Sequence, residues 1–156
     1  MINNLIEILN YNNIYLIANW GVLPFWLLLI ISPSHKITSF FVQSIIAPLF
    51  LAAAYVFVAY NIYLEGNIFD SFELYSGLDG LYAMFSNEAF LLIFWLHFLS
   101  ISLFLGSWIA RDSQRHLVPN FLTIISLIFT YFTGPLGLFF YWIIRIFFAK
   151  KISFND

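Results

Sequence analysis

The chain has 156 residues, of which 62% are hydrophobic and only 9% are charged. Soluble domains carry about 25% charged residues, so this composition excludes a soluble globular protein. A net charge of -2 offers no basic surface to nucleic acid, and the absence of cysteine excludes disulfides, thiolate metal ligands and a cysteine nucleophile. The 20 Phe, 9 Tyr and 5 Trp reflect either AT-rich coding or a groove for a flat or elongated apolar ligand.

Two long apolar runs in the first half of the chain predict transmembrane helices. The first covers residues 13–32 and contains Asn19 and Pro24. Proline removes a backbone donor and is expected to kink the helix, while Asn19 either hydrogen-bonds a neighbouring helix or belongs to a site. The second covers residues 38–64, and Pro48 is expected to kink it early.

Residues 65–88 are expected to form an acidic loop. This stretch has five acidic residues, no basic residue and three glycines, and one short surface helix is predicted near residues 80–85. Its acidic residues do not follow the spacing of a calcium-binding loop. No metal site is therefore predicted.

The third predicted span, 87–110, carries a polar seam. The 22 uncharged residues between Glu88 and Arg111 would extend roughly 33 Å as a helix, enough to cross a hydrocarbon core. Near the midpoint lies His97, and four residues fall within about 80° of it on a helical wheel: Ser100, Phe104, Ser107 and Arg111. Because a polar group in hydrocarbon is costly without a partner, the seam is predicted to face protein. His97 then either serves a ligand or catalytic site or simply hydrogen-bonds neighbouring helices.

The last predicted span, 118–148, is long enough to need a kink, which Gly134 and Pro135 should supply. Arg145 is expected to snorkel to the headgroups, with a buried cation as the alternative. The sequence thus predicts an all-α, polytopic membrane protein, one domain over 1–156 with four transmembrane helices and both termini on one side. Lysines and arginines divide equally between the two sides and do not decide the orientation.

Four patches resemble the abscisic-acid-deficient-four-like family, small four-helix membrane proteins linked to neoxanthin formation. They are ANWGVLPFWLLL at Ala18–Leu29, FELYSGLDGLYAMF at Phe72–Phe85, WLHFLSISLFLGSWIARD at Trp95–Asp112 and GPLGL at Gly134–Leu138, with Arg145 behind the last. The matched positions are Asn19, Pro24, Trp26, His97, Gly106, Trp108, Arg111, Asp112, Gly134, Pro135 and Arg145. The chain departs from the family pattern at Ser102, where the family has an aspartate, and at Phe98 and Ser107.

The resemblance implies carotenoid chemistry. Converting an epoxy-carotenoid to an allenic alcohol needs an acid at the epoxide oxygen and a base for a polyene proton, in a dry slot. The candidate catalytic residues are His97, Arg111 and Asp112. The candidate ligand-binding residues are Asn19, Trp26, Tyr55, Trp95, Ser100, Phe104, Trp108 and Arg145. Because serine cannot replace a carboxylate in proton transfer, we expect Ser102 to leave binding of a polyene or isoprenoid without efficient isomerisation.

Two functions remain open. The first is an enzyme, or an enzyme component, that binds and isomerises a carotenoid or other isoprenoid. The second is a non-catalytic carrier of pigment or lipid, or a small subunit of a larger membrane complex. A b-type haem is disfavoured because His35 and His116 lie outside the core. We expect membrane lipid, a carotenoid or isoprenoid and further protein subunits as partners, no metal and no nucleic acid, and a multi-pass location in a bacterial inner membrane.

Overall fold

The computed structural model describes residues 10–42, 44, 46–65, 72 and 75–150. Within these ranges the chain is mainly helical and contains no β-strand, which confirms the all-α prediction. The helices are α1 (Tyr11–Ile31), α2 (Lys36–Phe41), α3 (Ile46–Leu64), α4 (Leu78–Phe85), α5 (Glu88–Arg115), α6 (Asn120–Thr133) and α7 (Pro135–Ala149). Much of the predicted acidic loop lies outside the described residues, but its short helix is present as α4.

In the part of the chain that the structure describes, three segments are long and apolar enough to cross a membrane: Tyr11–Ile31, Lys36–Leu64 and Glu88–Arg115. Each reaches a mean hydropathy of 2.1 over 18 residues. The second segment comprises α2 and α3 with a break between them, and Pro48 lies in the first turn of α3. Since the first four N–H groups of a helix have no partner within it, Pro48 does not interrupt α3. Two shorter apolar helices, α6 and α7, follow.

The chain forms two compact units, and neither is continuous in sequence. The first comprises Met1–Gly21 and Leu49–Leu99, and the second comprises Val22–Pro48 and Ser100–Asp156. The single domain expected from the sequence stays a prediction.

The first unit is held by aliphatic packing and by contacts near its helix ends. The side chains of Ile14, Leu51 and Leu96 are buried. The Tyr11 hydroxyl donates to Glu65 Oε1 at 3.4 Å, which joins the start of α1 to the end of α3. The Phe85 and Phe94 rings lie 4.6 Å apart between their centroids, so α4 packs on α5.

In the second unit, α6 and α7 fold back on each other as a helical hairpin. The ring centroids of Phe129 and Phe140 are 4.9 Å apart, whereas eleven residues of one straight helix would separate them by about 16 Å. Gly134 makes the turn with a positive φ of 59°, a conformation that favours glycine. The single kinked span predicted over 118–148 is not confirmed, because the glycine-proline pair reverses the chain and leaves two helices of 14 and 15 residues.

The packed face of the hairpin is polar, and much of its outer face is apolar. The hydroxyls of Thr123, Ser126 and Thr130 are buried side chains of α6 that donate to backbone carbonyls four residues earlier. Phe132 and Phe147 are 70% and 75% exposed. Small and hydroxyl-bearing residues inside with aromatic residues outside are typical of helices that pack in lipid.

We expect Gly137→Ala to destabilise the hairpin. A methyl group at this position would clash with the backbone and the hydroxyl of Thr130, and overpacking of this kind costs roughly 1–3 kcal/mol. Thermal unfolding of the purified protein in detergent measures the loss. Gly21→Ala is the matched control, since no described atom lies within 4 Å of the added methyl group. Equal melting temperatures for the two variants would contradict the hairpin packing.

Candidate functional site

Helix α5 buries a different face from the one its polar residues predicted. Residues spaced three and four apart form its buried stripe: Leu92, Leu96, Leu99, Leu103, Gly106, Ala110 and Ser113. Of the predicted seam, His97, Phe104 and Arg111 are exposed, Ser100 is partly exposed and Ser107 alone is buried. The prediction that the seam faces protein is therefore wrong for His97, Phe104 and Arg111. Helices in lipid pack through small residues and regularly spaced leucines. The positions of the polar residues therefore do not predict which face of α5 is buried.

Asn19 pairs with an indole rather than with the histidine. The Trp95 Nε1 donates to Asn19 Oδ1 at 2.8 Å, and the Tyr15 ring lies 6.2 Å from the Trp95 ring. The expectation that Asn19 reaches His97 is therefore not met. Both Asn19 and Trp95 belong to the first unit, where this bond joins α1 to α5 and satisfies the amide oxygen within the protein.

A group of exposed and partly exposed polar and aromatic side chains lies around His97, in the first half of α5. We call it the His97 patch; it comprises Tyr55, Trp95, His97 and Phe98. The Tyr55 and His97 rings lie 6.3 Å apart, and the Trp95 and Phe98 rings stack at 5.4 Å. No hydrogen bond joins His97 to any residue that the structure describes. The patch thus presents a polar ring, a phenol and stacked aromatic surfaces on the outside of the first unit.

Two cavities flank α1 in the same unit. One of about 360 Å³ is lined by Tyr11, Asn12, Tyr15, Glu88, Leu91, Leu92 and Trp95. The other, of about 290 Å³, has an apolar lining of Ile14, Ile17, Ala18, Phe50, Leu51, Ala53, Ala54 and Phe57. Small-molecule sites typically measure about 300–1,000 Å³. Trp95 lines the larger cavity and is also part of the His97 patch, so the two surfaces adjoin.

A buried ion pair dominates the second unit. The Arg145 Nε donates to Asp112 Oδ2 at 2.7 Å, and the Tyr141 hydroxyl donates to the same oxygen at 2.6 Å. Arg145 Nη2 donates to His116 Nε2 at 3.2 Å, and the guanidinium carbon lies 5.1 Å from the Trp142 ring centroid. Arg145 is only 2% exposed. The favoured expectation of snorkelling is wrong, because Asp112 supplies a partner inside the protein.

The two tryptophans predicted to bind ligand in this unit serve packing. Trp26 is 2% exposed, and its ring fills the space beside Gly106, where an added Cβ would lie 2.7 Å from it. Tyr131 meets Trp26 edge to face at 5.3 Å. The Trp108 ring lies 5.7 Å from that of Tyr141. These contacts fix helices and leave Trp26 no accessible face for a ligand.

The three candidate catalytic residues do not share a site. His97 and Asp112 lie on one continuous helix and are 15 residues apart, which is about 22 Å along its axis. The Asp112 carboxylate is already bonded to Tyr141 and Arg145, and Arg111 is exposed beside it. A single epoxide could not contact all three. Among the described residues, no group of three or more His, Asp or Glu is arranged to hold a metal ion.

The sequence profile of the ABA DEFICIENT 4-like family matches residues 13–141. The chain belongs to this family. It is also similar to Protein ABA DEFICIENT 4, chloroplastic, of Arabidopsis thaliana, with 25% identity over 112 residues that make up 70% of this chain and 51% of the relative. The chain thus spans about half the length of that relative. No solved structure matches it, and the chloroplast relative gives no support to the expected bacterial inner membrane.

Most positions at which the chain resembles the ABA DEFICIENT 4-like family have a packing role. Trp26 and Gly106 fit against each other, Asp112 and Arg145 pair, and Gly134 turns the hairpin. His97 differs, since nothing described in the chain holds it. Sequence reasoning missed Tyr141, whose only signal was its position four residues before Arg145 on one helical face.

Removing one partner of the buried pair should be far more damaging than removing an exposed arginine. Arg145→Met leaves the Asp112 charge unpaired, for which about 3–5 kcal/mol is typical, whereas exposed Arg111→Met should change stability by no more than about 0.5 kcal/mol. Thermal unfolding in detergent compares the two. Similar melting temperatures for both variants would show that the pair does not hold the second unit.

Proposed function

We propose that the protein spans the membrane and binds a carotenoid or related isoprenoid at the His97 patch. The observation that carries this proposal is the exposure of His97 within the uncharged stretch of α5 between Glu88 and Arg111. Ionisable residues within membrane spans almost always face the protein interior, a water-filled cavity or a partner. No described residue hydrogen-bonds to His97, which leaves its ring nitrogens available to a bound ligand.

The composition of the patch supports an oxygenated polyene as that partner. Imidazole and phenol groups can donate hydrogen bonds to a hydroxyl or epoxide oxygen, and the stacked Trp95 and Phe98 rings offer flat apolar surface for a ring end group. The adjoining cavity of about 360 Å³ adds depth lined by Tyr11 and Tyr15. Binding sites of this kind combine apolar walls with a few placed polar groups.

Binding without efficient isomerisation is the form of the proposal that the geometry supports best. Ser102 is buried and lies about 140° around the helix from His97, so even a carboxylate there would not share the patch. Asp112 is committed to its ion pair, about 22 Å along the helix. The His97 patch therefore has an imidazole and a phenol, without the carboxylic acid that epoxide opening would use.

A non-catalytic subunit of a larger membrane complex is the alternative. Many large apolar side chains are exposed, among them Phe104 at 56% and Ile101 at 52%, and either lipid or another protein could cover them. In that case His97 would bond to the neighbouring subunit, and its loss would change assembly rather than pigment content.

Pigment content after expression in a carotenoid-producing host tests the proposal. The wild-type protein, purified in mild detergent, should carry carotenoid in its absorption spectrum. The His97→Phe variant should carry at least about tenfold less carotenoid per protein. Its melting temperature should stay unchanged, because the His97 side chain is exposed. Ile101→Leu, on the exposed surface of the same helix, should keep the pigment.

Equal pigment in wild type and His97→Phe would refute binding at the patch. Loss of oligomers in His97→Phe, with no pigment in wild type, would instead establish the subunit function. Incubation with violaxanthin measures catalysis separately, and clear neoxanthin formation by the wild type would overturn the non-catalytic form of the proposal.

We also propose a membrane arrangement. The sequence predicts four spans, but the hairpin favours three spans followed by a re-entrant pair of helices. Helices of 14 and 15 residues are short for a hydrocarbon core of about 30 Å, and Arg145 near the end of α7 contacts His116 just before α6 begins. The end of α7 therefore lies on the same side as the end of α5.

Single cysteines test this arrangement, since the chain has none of its own. Ser34→Cys and Lys150→Cys should react with an impermeant thiol reagent from the same membrane face, and Tyr75→Cys from the opposite face. All three wild-type side chains are exposed. Labelling of positions 75 and 150 from one face would restore the four-span arrangement.

A further inference from the structure

The larger cavity of the first unit is lined by aromatic rings and a carboxylate. Its volume is about 360 Å³, and its lining includes the rings of Tyr11, Tyr15 and Trp95 together with the Glu88 side chain. Tyr11 and Tyr15 lie one turn apart on α1, and Glu88 and Trp95 lie two turns apart on one face of α5. Three aromatic rings and one acidic group from two helices therefore border a single space.

The cap of α5 is supplied by Asn87 rather than by Glu88. Asn87 Oδ1 accepts hydrogen bonds from the backbone N–H groups of Ala89 and Phe90 at 2.9 and 3.4 Å. These bonds satisfy two of the donors that a helix leaves open at its start. The Glu88 side chain is exposed and lines the cavity, so its negative charge acts on whatever occupies that space.

The charge around this cavity is negative. Of the described residues that line it, none is Lys, Arg or His. The Tyr11 hydroxyl donates to a second carboxylate, Glu65 Oε1, at 3.4 Å. The segments of the first unit, Met1–Gly21 and Leu49–Leu99, contain six acidic residues and no Lys or Arg. A surface of this sign attracts cations and repels anions.

The aromatic rings of the cavity are held in position by other contacts. Trp95 Nε1 donates to Asn19 Oδ1 at 2.8 Å, and the indole stacks on the Phe98 ring at 5.4 Å. The Tyr15 ring lies 6.2 Å from the indole and is tilted by 41° to it. Because the indole has little freedom left to lose, binding against it carries a smaller entropic cost.

We infer that this cavity binds the ammonium group of a quaternary or methylated amine. Such cations bind to the faces of Tyr and Trp rings, and cages of these rings recognise choline-like groups. Glu88 adds a full negative charge, whose attraction for a cation is strongest at short range. A phosphate in the same ligand is not expected, because none of the described lining residues is a Lys or Arg that would pair with it. The ligand is therefore a cationic amine without a phosphate, rather than a phospholipid headgroup.

The ammonium site and the His97 patch share Trp95 but differ in position and charge. Glu88 precedes His97 by nine residues, which is about 14 Å along α5. An amine beside Glu88 therefore does not have to displace a polyene at His97. Binding of the amine is measured without carotenoid, so failure of the ammonium site and failure of the proposed polyene site are distinguishable.

Isothermal titration calorimetry of the full chain in an uncharged detergent at low salt tests the site with choline. The neutral isostere is neohexyl alcohol, in which carbon replaces the quaternary nitrogen. Choline should bind at least about tenfold more tightly than the isostere, a factor that contacts with aromatic faces and a carboxylate can supply. Glu88→Gln should abolish this preference, and Tyr15→Leu should weaken choline binding at least about threefold. Tyr15→Phe keeps the ring face, and Asp79→Asn removes an exposed charge outside the cavity, so both should retain the preference.

The outcomes separate the cavity from general charge attraction. Absent choline binding, equal binding of choline and neohexyl alcohol, or an unchanged preference in Glu88→Gln would overturn the site. A loss in Asp79→Asn as large as in Glu88→Gln would also overturn it, since the whole acidic unit would then attract the cation. Phosphocholine should bind more weakly than choline, and tighter binding of phosphocholine would instead assign the ammonium to a phospholipid headgroup. Matched melting temperatures establish that each variant is folded.

Discussion

The second unit depends on one interaction, the buried ion pair between Asp112 and Arg145. An arginine that is 2% exposed would be strongly unfavourable without a carboxylate, and the carboxylate would be equally unfavourable alone. The pair can form only if α7 returns alongside the end of α5, which requires the reversal at Gly134. Tyr141 donates to the carboxylate and Trp142 lies over the guanidinium, so α7 contributes much of the shell around the pair. The hairpin and the ion pair are therefore a single constraint.

The positions of the long helices could be predicted from the sequence, but which face of each helix is buried could not. Apolar runs over 13–32 and 87–110 predicted α1 (Tyr11–Ile31) and α5 (Glu88–Arg115), because a long stretch with almost no charge has few other stable forms in a lipid environment. In such helices the buried face is the one that carries small residues and regularly spaced leucines. Because apolar residues occur on lipid-facing and protein-facing surfaces alike, hydrophobicity does not distinguish the two. The position of Arg145 depends on a carboxylate 33 residues earlier, which no local pattern reveals.

The candidate site was likewise predicted only in part. Family resemblance selected His97 together with Trp26, Gly106, Asp112 and Arg145, but the last four are explained by packing, the ion pair and the hairpin. A residue that matches the family because it packs or folds the helices gives little information about ligand binding or catalysis. His97 was found from its residue type and its depth in the helix, while its exposure came only with the structure. That exposure supports the proposed ligand at His97 rather than a proton relay among the described residues.

The reversal at Gly134 also changes where the basic residues lie. A single kinked span would place Arg145 and Lys150, together with Lys151, opposite Lys36, Arg111 and Arg115, and the two sides would balance. The hairpin instead brings the five of these residues that the structure describes toward one end of the second unit. Lysines and arginines in short loops stay on the cytoplasmic side or its equivalent, and the arrangement proposed above would place the end of α5 on that side. Polyene binding at His97 and the ion pair at Asp112 would then be about 22 Å apart along one helix, far enough that each can be altered without the other.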